Sequence, residues 1–110
     1  MNERLIDEGT RYRLLSLLAD NPSLSQRDIA RELNVSVGKV NYCLRALLAK
    51  GYVKAINFKN SRNKRAYMYQ LTPSGIAAKA GAAKRFLHRK LAEYERLQRE
   101  IEELRREIGE

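Results

Sequence analysis

The residues best equipped for chemistry stand in one short run, Gly38-Lys39-Val40-Asn41-Tyr42-Cys43-Leu44-Arg45. Lys39 and Arg45 can donate to guanine O6 and N7, and the Asn41 amide can both donate to and accept from an adenine edge. Tyr42 adds a phenolic hydroxyl, and the run holds no acid. This set suits an anionic partner with readable edges, and double-stranded DNA is the plain candidate. Two further groups agree. Ser25, Gln26, Arg27, Ser36, Val37 and Gly38 fall where two helices are expected to begin. Hydroxyls, amides and free backbone N–H groups at such places grip phosphate. Gly38 costs a helix about 1 kcal/mol relative to alanine, which makes sense if a side chain there would hold the helix off a groove. Lys59, Arg62, Lys64 and Arg65 crowd a polar connection. An arginine at a hairpin tip can enter a narrow minor groove. Arg62 is the candidate for that, with Lys64 and Arg65 on phosphate.

Other chemistries lack their residues. There are no paired carboxylates, no nucleophile beside a base and no glycine-rich phosphate loop, so no enzyme is expected. The single cysteine, Cys43, excludes an internal disulfide or a thiolate zinc site. Beside Leu44 it reads as a small buried hydrophobe. His88, the one histidine, has no second ligand. No cofactor or metal is expected, and the residues identify no small-molecule effector.

Charge points the same way. The net charge is +9 over 110 residues. From Leu33 to Ala92 there are thirteen Lys or Arg residues and no Asp or Glu. The flanking stretches are mildly acidic. A charge spread only for solubility would not be sorted in this way; a basic stripe is the electrostatic footprint of a nucleic-acid binder. No apolar run is long enough to cross a bilayer, and Met1-Asn2-Glu3-Arg4 has no apolar leader character. A cytoplasmic, nucleoid-associated protein is expected.

The elements that position these residues follow from periodicity. A first helix is expected from about Glu3 to Asp20, with Leu5, Tyr12, Leu15 and Leu18 or Ala19 inward and Leu14 and Leu17 widening the face. Gly9-Thr10 could break it or move its start. Pro22 ends it. Ser25 then caps a second helix, with Asp28 three residues on and Ile29, Ala30 and Leu33 inward. Asn34 can take a positive φ in the tight turn. Ser36 caps the third helix, whose stripe is Val37, Val40, Leu44, Leu47 and Leu48, and Gly51 stops it. Two short helices and a tight turn make a helix-turn-helix. The period then falls to two. Tyr52–Phe58 and Ala66–Leu71 read as strands around the basic connection, a wing. Thr72-Pro73 opens a last helix that runs to about Ile108. At roughly 50 Å it is too long to pack on so small a head, so it must project.

That helix carries a seven-residue repeat. Ala80, Leu87, Tyr94, Ile101 and Ile108 take a; Ile76, Ala83, Leu97 and Leu104 take d. Lys90 breaks the d row, and Leu91 beside it takes up the packing. Ile at a with Leu at d favours a parallel two-stranded coil. Glu100 would then meet an Arg105, whereas in an antiparallel pair Glu93, Glu100 and Glu107 would face one another. The expected organisation is a mainly α chain with a small β-hairpin: a winged helix-turn-helix over 1–72 and a coiled-coil dimerisation helix over 73–110. A homodimer on DNA follows. The competing reading is a winged-helix protein-interaction module that docks through its long helix.

The run S-Q-R-D-I-A-R-E-L-N-V-S-V-G-K-V-N-Y-C-L-R-A-L-L-A-K-G-Y-V and the ending N-K-R-A-Y-M-Y-Q-L-T-P-S-G-I resemble the winged-helix MarR family of bacterial regulators, most of all the small subgroup associated with exopolysaccharide gene clusters. The likeness covers about Arg11 to Ile108. It implies a dimeric transcription factor on a pseudo-palindromic operator, near polysaccharide genes. Ordinary members dimerise through helices at both ends and hold ligands between the dimer and DNA-binding parts. The coiled-coil character of the last helix here departs from that plan.

Overall fold

A computed structural model describes residues 8–59 and 65–110. The order is α1 (Glu8–Asp20), α2 (Gln26–Leu33), α3 (Val37–Ala49), β1 (Val53–Lys59), β2 (Arg65–Leu71) and α4 (Pro73–Ile108). The expected start of α1 and Leu5 lie outside the described residues. Where α1 is described it runs unbroken through Gly9 and Thr10. Its buried side is Leu14, Leu15 and Leu18; Ala19 is exposed, and Tyr12 is turned toward α4.

The caps set the frame. Ser25 Oγ accepts from the Asp28 N–H at 3.0 Å, and the Ser25 N–H donates to Asp28 Oδ2 at 3.3 Å. Each group satisfies an N–H that the first turn cannot bond internally. Asn34 ends α2 at φ 56°, and its left-handed backbone makes the tight turn. Ser36 Oγ accepts from the Lys39 N–H at 3.0 Å and starts α3. Gly51, at φ 74°, closes α3 and sends the chain into β1.

The core is one cluster. Leu14, Leu15 and Leu18 of α1, Ile29 and Leu33 of α2, Val40, Cys43, Leu44 and Leu47 of α3, and Val53 of β1 are all buried in it. Burial of each such Leu or Ile contributes about 1.5–3 kcal/mol. Cys43 is buried, as its neighbours suggested. The two strands pair antiparallel, from Val53 opposite Leu71 to Lys59 opposite Arg65. The Tyr69 N–H also donates to Pro22 O at 3.1 Å, so the α1–α2 turn braces the outer edge of β2.

The head rests on the first part of α4. Gly75 and Ala82 are buried, Ala78 packs on the core, and Tyr12 meets Phe86 with ring centroids 6.0 Å apart. Arg85 Nε pairs with Glu8 Oε1 at 3.0 Å. Beyond this contact α4 projects, and the protein measures 67 × 28 × 27 Å. Among the described residues no helix is long and apolar enough to cross a membrane.

The capping box carries a pH signature. Hydrogen bonds from Ser25, side chain first and backbone second, hold the Asp28 carboxyl below its usual range, with Arg31 adding a smaller attraction. A carboxyl whose pKa falls on folding stabilises the fold above its unfolded value and loses that contribution as pH drops through its folded value. Asp28→Asn should therefore melt below the parent chain at neutral pH, and the gap should close in acid. Thermal melts at both ends of that range read it; a gap unchanged with pH would remove the charge from the account.

Candidate nucleic-acid interface

The polar residues of the run that carried the chemistry lie toward the outer face of α3, while Val40, Cys43 and Leu44 turn into the core. Asn41 and Arg45 are exposed, Lys39 is half-buried, and Ser36, Val37 and Gly38 lie at its exposed start. Asn41, Tyr42, Arg45 and Ala46 line an open groove of about 440 Å³. Ser25, Gln26 and Arg27 stand at the start of α2. The turn between the helices brings that start beside α3, and Asn41 Nδ2 donates to Gln26 Oε1 at 3.3 Å. Two expected groups are thereby joined on one surface.

Some assignments change. Val37 is not part of the inward stripe: it is 46% exposed. It sits in the first turn, on the flank of the Val40–Leu44–Leu47 row and past the edge of the core. That frees it for contact at the surface. Tyr42 is only partly on the outer face, because its ring also packs on the core. Ser25 and Ser36 spend their hydroxyls on helix caps. Gln26 bonds its amide to two neighbours, accepting from Asn41 and donating to Tyr69 Oη at 3.2 Å. An alanine Cβ at Gly38 would meet nothing nearer than Ser36 Oγ at 3.9 Å, so packing within the head does not require glycine there.

Tyr67 and Tyr69 belong to this surface although their chemistry did not single them out. With Ser23, Ser25 and Gln26 they line a second open cleft of about 290 Å³. Their rings stack at 6.4 Å between centroids. Tyr67 and Tyr69 alternate with Met68 and share one face of β2, and the bond from Gln26 Nε2 to Tyr69 Oη shows that this face meets the start of α2. Lys59 and Arg65 end the paired strands and lie opposite each other. Arg62 and Lys64 fall outside the described residues.

The acid-free face, the capped turn and the hairpin combine in a known way. Residues 4–54 match the model of the winged helix-turn-helix DNA-binding family. The chain carries a winged helix-turn-helix DNA-binding domain. Solved structures extend the likeness into the long helix. A PadR-like transcriptional regulator from Bacillus cereus aligns at TM-score 0.70 and 14% identity, over 80% of this chain and 90% of that one. A MarR/EmrR family regulator from Acinetobacter sp. ADP1 aligns at 0.57 and 23%, over 91% and 75%. FabT from Streptococcus pneumoniae, solved in complex with DNA, aligns at 0.55 and 24%, over 76% and 56%. At these identities the likeness is one of fold. No curated protein matches the chain in sequence. In this winged helix, α3 is the second helix of the motif and the β1–β2 hairpin is the wing.

The expected dimerisation residues form a separate surface on α4. Ile76, Ala80, Leu87, Leu91, Tyr94, Leu97, Ile101, Leu104 and Ile108 are exposed, and Ala83 is half-buried. The head occupies another face, at Gly75, Ala78, Ala82 and Phe86. Apart from Ala83, the apolar stripe is thus left uncovered in the single chain.

Proposed function

We propose that this protein is a homodimeric, sequence-specific DNA-binding transcriptional regulator without catalytic activity. The observation that carries this reading is the outer face of α3. Exposed Asn41 and Arg45, with Lys39 beside them, stand on the second helix of a winged helix-turn-helix in a stretch with no acid. Base-edge donors on such a helix specify sequence, while the basic residues of the wing hold phosphate. Two uncovered α4 stripes supply the dimer. A parallel pair places Glu100 against Arg105 of the partner subunit and covers Leu87, Tyr94, Leu97, Ile101 and Leu104. Each α3 then enters a major groove, with half-sites about 34 Å or a multiple of that apart on a pseudo-palindromic operator. The likeness in V-G-K-V-N-Y-C-L and N-K-R-A-Y-M-Y-Q-L-T-P-S-G-I supports exopolysaccharide genes as the target.

Selection from a randomised duplex library supplies the operator, and titrations then separate the roles. Arg45→Ala and Asn41→Ala should each cost about 1–3 kcal/mol on the operator and much less on unrelated DNA. Lys64→Ala should weaken both DNAs alike and reduce the slope of log affinity against log salt by about one. Equal losses on both DNAs for all three variants would remove the assignment of readers. Failure of the parent chain to bind duplex DNA in dilute buffer would remove the function itself.

A further inference from the structure

Three elements meet in one chain of hydrogen bonds. Asn41 on α3 donates from Nδ2 to Gln26 Oε1 at 3.3 Å. Gln26, at the start of α2, donates from Nε2 to Tyr69 Oη at 3.2 Å. Tyr69 on β2 is held on three sides: its ring packs on the core and stacks on Tyr67, and its N–H is bonded to Pro22 O. The chain therefore runs from an anchored strand residue, through a half-buried amide, to an exposed amide on the face that reads DNA.

The direction of this chain matters. The two ends of an asparagine amide are alike in shape and opposite in chemistry. With Nδ2 engaged by Gln26, Asn41 keeps Oδ1 and one N–H for the groove. A donor and an acceptor side by side match adenine N7 and N6. If both amides were reversed, Asn41 Oδ1 would be taken by Gln26, and only N–H donors would face the groove. Those suit the two acceptors of guanine. The reversed chain needs the Tyr69 hydroxyl to donate inward to Gln26. The observed chain needs it to accept, which leaves its hydrogen for an outward acceptor such as a duplex phosphate oxygen. The Tyr69 hydroxyl can serve either direction, so a phosphate oxygen that takes its hydrogen is what selects the observed one.

We infer that Asn41 reads an adenine, and that Gln26 and Tyr69 are positioning residues that fix the direction of its amide. The inference rests on the DNA-reading function proposed for α3. It makes the base of the wing part of sequence recognition without any contact between Tyr69 and a base.

Library selection with the parent chain and four variants tests this. Asn41→Ala identifies the base pair that Asn41 reads, and adenine is expected there. Tyr69→Phe keeps the ring and removes Oη. Gln26→Ala removes the link. Both should reduce the adenine preference at that one position on the order of tenfold, and leave the preferences at other positions in place. Gln26→Glu offers an acceptor to Asn41 Nδ2 and another to the Tyr69 hydroxyl. It should retain the adenine preference while its negative charge weakens binding to every duplex. Loss of preference spread evenly over all positions, or a fall in melting temperature large enough to explain it, would make Tyr69 a merely structural residue. Full adenine preference in Tyr69→Phe, or its loss in Gln26→Glu, would overturn the relay and leave the DNA-reading function standing. A parent chain that enriches no sequence would overturn both.

Discussion

Ile101→Asp is expected to leave the head folded, make the protein monomeric and lower operator affinity at least a hundredfold. Ile101 lies in the projecting part of α4, far along the chain from the residues that touch the head. It is 41% exposed, less than the other large apolar residues of that stripe. In the single chain an aspartate there meets water and costs little. In a two-stranded coil it would place two carboxylates at one a layer, without partners, in a seam that excludes water. A buried unpaired charge is strongly destabilising, and a short coil has little stability to spare. The effect on DNA is larger than the local change suggests. Two joined reading heads engage two half-sites as one event, and loss of the link forfeits a gain of about 10²–10⁴ in affinity. Sedimentation equilibrium reads the first part and operator titration the second. Binding to a single half-site should persist near the parent value, because α3 and the wing are untouched. A monomeric variant that still binds the full operator as tightly as the parent would separate dimerisation from function. A variant that stays dimeric would place the interface elsewhere.

Much of this architecture was legible because it is local. Ser25, Ser36 and Thr72 each bond an N–H three residues on, so their signal is contained in four consecutive residues. Pro73 and Gly51 act through their own backbone angles. The end of α4 at Ile108 matches the sequence expectation, since Gly109 follows with a positive φ. What was not legible depends on register and on neighbours distant in sequence. Gln26 and Tyr69 are 43 residues apart, and they meet because β2 packs against the α1–α2 turn, where the Tyr69 N–H bonds Pro22 O. The position of Gln26 at a helix start is therefore legible, but its bonds to Asn41 and Tyr69 are not. Val37 fits the helical period of the buried stripe. Periodicity gives direction around an axis but not distance along it, and Val37 lies past the end of the core.

Gly75→Ala should destabilise the head by roughly 2–3 kcal/mol, at the upper end of what overpacking costs. Helix propensity alone predicts the opposite sign, since alanine in place of an interior helical glycine gains about 1 kcal/mol. The geometry decides between them. A Cβ at Gly75 would lie 1.9 Å from Tyr52 O and 2.8 Å from Tyr52 C, and both are backbone atoms. Tyr52 O cannot turn aside, because it already accepts from the Thr72 N–H at 3.0 Å. The preceding carbonyl, Gly51 O, accepts from Ser74 Oγ at 3.0 Å and from the Thr72 hydroxyl. Relief therefore requires α4 to lift from these bonds, or the Gly51–Tyr52 segment to move and disturb the end of α3. For a head of this size the loss corresponds to a fall of about 10 °C or more in melting temperature. Gly38→Ala is the matched contrast, a helical glycine in open space, and should melt at or above the parent. If the two variants shift the melt in the same direction and by similar amounts, propensity governs both positions and the close seat of α4 on Tyr52 contributes nothing.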